Sequence, residues 1–359
     1  MVLQALAQRP LPGVEIVLIS PSRWQHYSGM LPGWMKGDYT LQDCRIDLTP
    51  LVERAGAHFI EDHVIDMDAE QRQVCLSDGT HVRYDVLSLD VGSEVDTERL
   101  RPLGAKLLPV KPLAAFSVAW PTLVQQACQA PSWRLAVIGG GAAGVETALS
   151  AAAALRDAGA SAQVTLMTGE KGVLPGHGAL VRRRVETALR LAHVQVKKQK
   201  AVGTHAGVLL ADGQELELDA VIAATGARAP AWLSLSRLAL DERGFVAVNA
   251  CHQSTSHPDV FAAGDVCSRM DRPVGRSGVH AVRAGPVLAD NLLAHLQGQP
   301  LRAYVPRRWS LYLLATGQGE AIASWGPFSA AGRWVWRLKD RIDRRFMARF
   351  MARLMPRQL

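Results

Sequence analysis

The chain has 359 residues, of which 48% are hydrophobic and 20% charged, and its formal net charge is +7. This composition can fill a large core, which excludes global disorder, and the length suits two or three domains. The sequence shows no apolar run of the roughly 18 residues that a membrane span needs and no secretion signal. Its five separated cysteines form no CxxC pair, which argues against a disulfide scaffold, a zinc ribbon or a redox-active dithiol and predicts a cytoplasmic protein.

Strand and helix patterns alternate along most of the chain. The first half predicts a helix over 2–8, a buried strand over 14–20, short strands at 58–60 and 64–66, a hairpin within 73–84 and a buried run at 86–91. A linker over 101–112 precedes a strand at 135–138, a helix at 145–158, a strand at 163–167, a helix at 180–192, a strand at 194–196, a hairpin within 203–218 and a strand at 220–224. Such alternation predicts an α/β fold.

A glycine-rich motif follows the strand at 135–138. The residues Gly139-Gly140-Gly141-Ala142-Ala143-Gly144 form GxGxxG between an apolar strand and an Ala-rich helix. In this pattern Gly139 permits a tight turn, Gly141 lets a pyrophosphate approach the backbone, and Gly144 lets helix and strand pack closely. The motif therefore predicts a dinucleotide site, with a turn that merely packs as the alternative.

The next strand lacks the acidic residue that usually binds the nucleotide ribose. It ends at Thr168, and the nearest acid is Glu170. No arginine stands where it would clearly bind a 2′-phosphate, which favours NADH while leaving NADPH open.

Two later segments are candidates for cofactor contacts. A short apolar strand leads through Gly264 to Asp265, whose carboxylate could accept hydrogen bonds from a polyol. An apolar helical pattern covers 286–296, and the predicted helix begins near Gly278. Its amino end could favour negative charge. An ordinary turn and an ordinary helix start remain the alternatives.

Taken in order, these motifs resemble the flavoproteins with two dinucleotide-binding domains, of the type II NADH dehydrogenase and sulfide:quinone oxidoreductase kind. The resemblance rests on YDVLSLDVGS at 84–93, GxGxxG at 139–144, ATG at 224–226 and FAAGD at 261–265. The stretches HYSGMLPG, LSLDVGS, LDERGFVAV and WRLKDRIDRRFMARF more closely resemble the flavoprotein domain found N-terminal to selenide, water dikinase. The resemblance implies two Rossmann-like domains: an FAD-binding domain over residues 1–110 and 228–300, interrupted by an NAD(P)H-binding domain over 111–227. A C-terminal strand and helix extension over 301–359 would follow.

The resemblance also implies which residues bind the cofactors FAD and NAD(P)H. Those expected at FAD are Ser20, Arg23 and Val64 near the adenosine, Leu31 and Pro32 near the ring, Gly92 along the cofactor, Gly264 and Asp265 at the ribitol, and Gly278 and Val279 at the pyrimidine edge. Those expected at the nicotinamide nucleotide are Gly139, Gly141, Gly144, Glu146 and Gly226. No side chain is expected to act as a nucleophile or a metal ligand.

One departure from the family pattern concerns the amino end. Such flavoproteins begin with a strand and a glycine loop of their own, whereas this sequence begins in the helix that follows them. We expect the natural start to lie upstream. The alternative is a chain that binds FAD poorly, because the first strand is central in a doubly wound sheet.

The implied activity is hydride transfer from NAD(P)H to flavin, followed by electron delivery to a quinone or another small acceptor. One alternative is a sulfide- or selenide:quinone-type oxidoreductase, which needs cysteines at the flavin; Cys128 and Cys267 are the candidates. Another is a flavin-poor binding module linked to selenium metabolism. The sequence leaves the oligomeric state open.

The net charge resides in one segment at the carboxyl end. Residues 333–357, from Arg333 to Arg357, contain nine basic and two acidic residues, a surplus equal to the charge of the whole chain. Apolar residues recur there at helical spacing: Trp334, Val335, Leu338, Ile342, Phe346, Phe350 and Leu354. This pattern predicts a basic amphipathic helix that either lies on an anionic membrane, at the inner face of the cell membrane, or docks on the flavin domain. Nucleic-acid binding is not expected, because no aromatic platform accompanies the charge.

Overall fold

The computed structural model describes residues 1–351. They form two compact units. The first unit comprises Met1–Gln25, Asp47–Glu94 and Ala227–Arg308, and the second comprises His26–Ile46, Val95–Gly226 and the chain from Trp309 onward. The mixed α/β class with Rossmann-like architecture is confirmed. The assignment of FAD and NAD(P)H to particular residue ranges stays a prediction, and the segment 26–46, which we expected in the FAD domain, belongs to the second unit.

The first unit combines parallel strand pairs with an antiparallel meander. Its helices are Val2–Gln8, Thr49–Ala55 and Gly278–Leu296. Parallel pairs join Val17–Ser20 to His58–Glu61, Leu87–Leu89 to Val260–Ala262, and Val246–Val248 to Cys267–Arg269. The meander runs through Val64–Asp68, Gln73–Leu76 and His81–Arg83. Short strands Trp24–His26, Arg45–Asp47, Glu94–Val95 and Ala227–Arg228 lie next to the unit boundaries in sequence.

The second unit is built on a five-stranded parallel sheet. Its strand order is Leu107–Pro109, Ala220–Ala223, Trp133–Ile138, Ala162–Met167 and Gln195–Lys197. The helices of this unit are Leu31–Lys36, Leu113–Gln129, Ala142–Asp157, Ala179–Leu191 and Arg333–Met351. The central strands are buried on both faces, which explains their continuous apolar sequences. The predicted linker 101–112 is partly wrong, because it contains the edge strand Leu107–Pro109.

Antiparallel strands complete the second unit. One sheet contains Ala201–Gly203, Gly207–Leu210 and Glu215–Glu217. The other, near the carboxyl end, contains Leu311–Ala315, Ala321–Trp325 and Phe328–Gly332. A turn of this second sheet packs closely on the helix Ala142–Asp157, because a Cβ at Gly317 would lie 2.6 Å from the Leu149 carbonyl oxygen. We call Ala142–Asp157 the nucleotide helix and Arg333–Met351 the C-terminal helix.

The C-terminal helix is docked along one face. Its buried residues are Val335, Lys339, Asp343, Met347 and Phe350. The Lys339 ammonium donates to the Asp343 carboxylate and to the Gly29 carbonyl oxygen, both at 2.6 Å. Tyr27 Oη donates to Asp343 at 3.1 Å. The predicted helix is therefore present and docks on the segment 26–46, although Arg353, Leu354 and Arg357 lie outside the described residues.

No helix within residues 1–351 combines the length and apolarity needed to cross a membrane.

Candidate functional site

The glycine loop, residues 139–144, is shaped by two close backbone approaches. A Cβ at Gly139 would lie 2.0 Å from the Ala224 carbonyl oxygen, and a Cβ at Gly144 would lie 1.9 Å from that of Gly139. Such distances exclude any side chain at Gly139 or Gly144. Gly141 differs, because a Cβ there would meet nothing within 4 Å. The loop thus has two glycines that the fold requires and one that faces open space.

The open side of the loop coincides with the amino end of the nucleotide helix. Gly141 is the N-cap residue, and its carbonyl oxygen accepts the Val145 N–H at 3.0 Å. The amides of the first helical turn have no acceptor within the helix and, together with the helix dipole, attract an anion. This arrangement fits the pyrophosphate of a dinucleotide. Gly226 follows the neighbouring strand Ala220–Ala223, and a Cβ there would also meet open space.

The chain after the strand Ala162–Met167 packs directly on the glycine loop. A Cβ at Gly140 would lie 2.6 Å from the Gly172 carbonyl oxygen, and the Leu174 N–H donates to the Gly140 oxygen at 2.7 Å. Lys198 lies next to Gly172, because its Cε would be 3.6 Å from a Cβ at Gly172. This contact could not be anticipated from the sequence, because Lys198 follows a different strand, Gln195–Lys197.

Glu146, on the first turns of the nucleotide helix, has a partner that its sequence position did not reveal. Its carboxylate accepts the backbone N–H of Ala315 at 2.8 Å. Burial raises the pKa of the Glu146 carboxyl to about 7, and the positive charge of Lys339 opposes this shift. The carboxylate therefore anchors the C-terminal sheet to the nucleotide helix, and its expected position at the nicotinamide nucleotide stays a prediction.

In the first unit, adjacent strand ends bring together the residues expected at the FAD adenosine. Ser20 ends the strand that pairs with His58–Glu61, and Val64 follows that partner strand. Arg23 is held by an ion pair with Asp47 at 2.6 Å and lies over the Trp24 ring at 4.8 Å. The carboxyl ends of parallel strands are the usual site for a nucleotide, and this placement is compatible with the expectation.

The turn at Gly264 and Asp265 lies close to a second carboxylate, that of Asp90. Gly264 has a φ of +77°, and a Cβ there would lie 2.9 Å from Oδ1 of Asp90, a residue that we did not single out from the sequence. Desolvation of its carboxyl raises the pKa of Asp90 to about 7, although the residue as a whole is exposed. Ser93 Oγ donates to Asp265 at 3.5 Å. Gly92, which lies between Asp90 and Ser93 in sequence, has a φ of +73°, a conformation that favours glycine.

The amino end of the helix Gly278–Leu296 lies at a small cavity. The cavity measures about 30 Å³ and is lined in part by Gly264, Arg276 and Ser277. Ser277 is the N-cap residue, and its buried hydroxyl has no hydrogen-bond partner within residues 1–351. An orphaned hydroxyl beside the first amides of Gly278 and Val279 is compatible with a polar ligand edge at this helix end.

Leu31 and Pro32, expected at the flavin ring, lie in the second unit. They begin the helix Leu31–Lys36, in which Pro32 is buried in the first turn. Leu31 packs against the core that also contains Val145 of the nucleotide helix. Their expected place at the ring stays a prediction.

All five cysteines are free thiols. Cys267 is buried, and burial raises its pKa to about 12. Cys128 is exposed and lies in the second unit. Since the thiolate is the reactive form, Cys267 is an inert thiol at neutral pH.

Comparison with known proteins gives a consistent result. The model of the family "Pyridine nucleotide-disulphide oxidoreductase" matches residues 4–285. An NADH dehydrogenase-like protein of Mycobacterium tuberculosis is 29% identical over 301 residues, which is 80% of this chain and 74% of that protein.

Two solved structures show the same fold. The sulfide:quinone oxidoreductase of Aquifex aeolicus superposes with a TM-score of 0.80 at 16% identity, covering 98% of this chain and 89% of its own. NDH2 of Plasmodium falciparum, in complex with NADH, gives 0.81 at 13% identity, covering 97% and 94%.

Proposed function

The chain belongs to the pyridine nucleotide-disulphide oxidoreductase family, and we propose that it oxidises NAD(P)H and delivers the electrons to a quinone-like acceptor. The predicted enzyme class, an FAD-dependent NAD(P)H oxidoreductase, and the predicted cofactors are confirmed by this membership. The acceptor is our proposal, supported by the fold shared with a sulfide:quinone oxidoreductase. Bound FAD supplies the hydride-accepting chemistry.

The observation that carries the proposal is the contrast among the three motif glycines. Gly139 and Gly144 have no room for a Cβ, whereas Gly141 faces open space at the amino end of the nucleotide helix. In this arrangement the chain binds the nucleotide pyrophosphate through backbone amides. Asp265 would accept hydrogen bonds from the FAD ribitol, and the amides of Gly278 and Val279 would favour negative charge at the pyrimidine edge.

The test is anaerobic reduction of the flavin-loaded protein, followed by addition of single acceptors. We expect NAD(P)H to bleach the flavin absorbance and a water-soluble quinone to restore it faster than a ferredoxin does. Failure of NAD(P)H to bleach the flavin would contradict the oxidoreductase proposal. Restoration by ferredoxin but not by quinone would contradict only the acceptor.

A sulfide- or selenide-oxidising enzyme is the alternative that we considered from the sequence. Such chemistry requires a reactive thiolate at the flavin. The raised pKa of Cys267 keeps its thiol protonated at neutral pH, and this favours the simple NAD(P)H oxidoreductase. We expect Cys267→Ala to retain NAD(P)H-driven quinone reduction; its abolition in a folded protein with bound flavin would favour the alternative.

The link to selenium metabolism is a second candidate, and it rests on the resemblance to domains fused to selenide, water dikinase. Pull-down of a separate selenide, water dikinase by the flavin-free chain is the expected result. Absence of binding would contradict this candidate.

We also propose that the exposed face of the C-terminal helix contacts an anionic membrane. Trp334, Leu338 and Ile342 follow one another at four-residue spacing and are exposed, Trp334 to 58%. The exposed arginines Arg337, Arg341 and Arg345 are interleaved with them on the same side of the helix. Exposed apolar residues among arginines are typical of helices at a membrane surface.

A second exposed aromatic group in the same unit supports this proposal. Trp309, Trp325 and Phe328 form a cluster with ring centroids 6.0–6.3 Å apart, and Phe328 is 60% exposed. Aromatic side chains of this kind are favoured at the membrane interface.

Vesicle binding of the full chain tests the membrane proposal. Replacing Arg337, Arg341 and Arg345 by Gln should weaken binding to phosphatidylglycerol vesicles by about a hundredfold, at about 1 kcal/mol per charge. The matched control replaces Arg182, Arg183 and Arg184 of the helix Ala179–Leu191, which are also exposed. Equal losses in both variants, or no binding by the unmodified chain at low salt, would contradict the proposal.

A further inference from the structure

We propose that Lys198 recognises the 2′-phosphate of the nucleotide, so that the chain prefers NADPH to NADH. This inference rests on the proposed nucleotide site at the glycine loop and names the substrate of that site. It reverses the preference for NADH that the sequence alone favoured, because the sequence offered no cation near the ribose position.

The residue that follows the strand Ala162–Met167 bears on the choice between NADH and NADPH. That position usually holds a carboxylate, which binds the ribose hydroxyls of NADH and repels a phosphate. Here it is Thr168, whose hydroxyl donates to the Gly169 carbonyl oxygen at 3.0 Å. A neutral residue therefore removes the usual barrier to NADPH and leaves the ribose hydroxyls without the usual acceptor.

The pairing of two strands brings Lys198 close to Thr168. The Thr168 N–H donates to the Lys197 carbonyl oxygen at 3.0 Å, so the ends of the two strands lie side by side. Lys198 Nζ lies 3.9 Å from the position of a Cβ at Gly172. The carbonyl oxygen of Gly172 in turn packs on Gly140 of the glycine loop. A single residue thus separates Lys198 from the loop at which the pyrophosphate is expected.

The Lys198 ammonium is exposed and only weakly paired. Its side chain is 59% exposed, and Glu186 Oε1 lies 3.6 Å away, on a carboxylate that is half exposed. An ion pair at this distance between two exposed groups is weak, so the ammonium can exchange the Glu186 carboxylate for a phosphate. The exposed loop between Thr168 and Gly172 adds no net charge, because it contains both Glu170 and Lys171. A phosphate dianion is a ligand that such a lysine favours.

The experiment compares binding of ADP-ribose and 2′-phospho-ADP-ribose to the full chain by calorimetry. Neither ligand carries a nicotinamide, so the readout is independent of turnover. We expect the phosphorylated ligand to bind roughly 10- to 100-fold more tightly, in line with a charge-assisted hydrogen bond. Lys198→Gln should abolish that ratio and leave ADP-ribose affinity unchanged, whereas Lys198→Arg should retain it.

Two further variants sharpen the outcome. Glu186→Gln removes the competing carboxylate and should increase the preference for the phosphorylated ligand. Lys200→Gln removes an exposed positive charge two residues away and should change the preference less than twofold, roughly the effect of a screened surface charge. A Lys198→Gln variant that keeps the preference, or that loses affinity for both ligands equally, would overturn the inference. Absence of binding by both ligands to the unmodified chain would instead overturn the proposed nucleotide site.

Discussion

The docking of the C-terminal helix depends on a buried ion pair, and this yields a quantitative prediction. The side chains of Lys339 and Asp343 are 7% and 6% exposed. The Asp343 carboxylate accepts hydrogen bonds from the Lys339 ammonium and from the neutral Tyr27 hydroxyl. Lys339→Met leaves the carboxylate buried without a countercharge. Breaking a buried pair in this way typically costs about 3–5 kcal/mol of unfolding free energy.

The loss should depend on pH with a definite sign. Burial already raises the pKa of Asp343, and removal of Lys339 raises it further. A carboxyl whose folded pKa is raised contributes most stability below its unfolded pKa and loses that contribution as the pH rises towards the folded value. The Lys339→Met variant should therefore be more destabilised at pH 8 than at pH 5.

Urea unfolding followed by tryptophan fluorescence measures this effect. The double variant Lys339→Met/Asp343→Asn should recover most of the loss, because Asn can still accept the Tyr27 hydroxyl and carries no charge. A loss below about 1 kcal/mol in Lys339→Met, equal at both pH values, would refute the docked ion pair.

Two other predictions concern single carboxylates. The folded pKa of Glu146 is raised to about 7 from 4.5, so its contribution to stability should fall by about 3 kcal/mol as the pH rises between these values. In unfolding measurements, Glu146→Gln should remove this dependence of stability on pH. An unchanged dependence would show that the carboxylate is not buried. Asp265→Ala should lower the FAD content of the flavin-loaded protein after gel filtration, because a charge-assisted hydrogen bond contributes roughly 1.5–3 kcal/mol, and full retention of flavin would contradict its expected place at the ribitol.

The local motifs of the second unit could be predicted from the sequence, because their requirements are local. Gly139 and Gly144 are required by backbone approaches within one strand, turn and helix, and the GxGxxG pattern encodes those approaches directly. The strand at 135–138 was also predictable, since a strand buried on both faces is continuously apolar.

The contacts that the sequence did not reveal join distant parts of the chain. Lys198 reaches Gly172 through the parallel pairing of two strands, and Glu146 meets Ala315 through a sheet that the helical pattern could not anticipate. The helix Leu113–Gln129 was missed altogether, because Pro121 lies within it and interrupts the expected pattern. Pairing between remote segments depends on the whole fold and cannot be predicted from the hydrophobic periodicity of one segment.

The most direct test of the central claim is Gly141→Val in the flavin-loaded protein. A Cβ at this position would meet nothing within 4 Å, so the fold and the bound FAD should remain while the side chain occupies the space at the amino end of the nucleotide helix. We predict that anaerobic NAD(P)H bleaches the flavin of the unmodified protein and fails to bleach that of the variant. Flavin reduction in the variant at the rate of the unmodified protein would contradict the nucleotide site at the glycine loop.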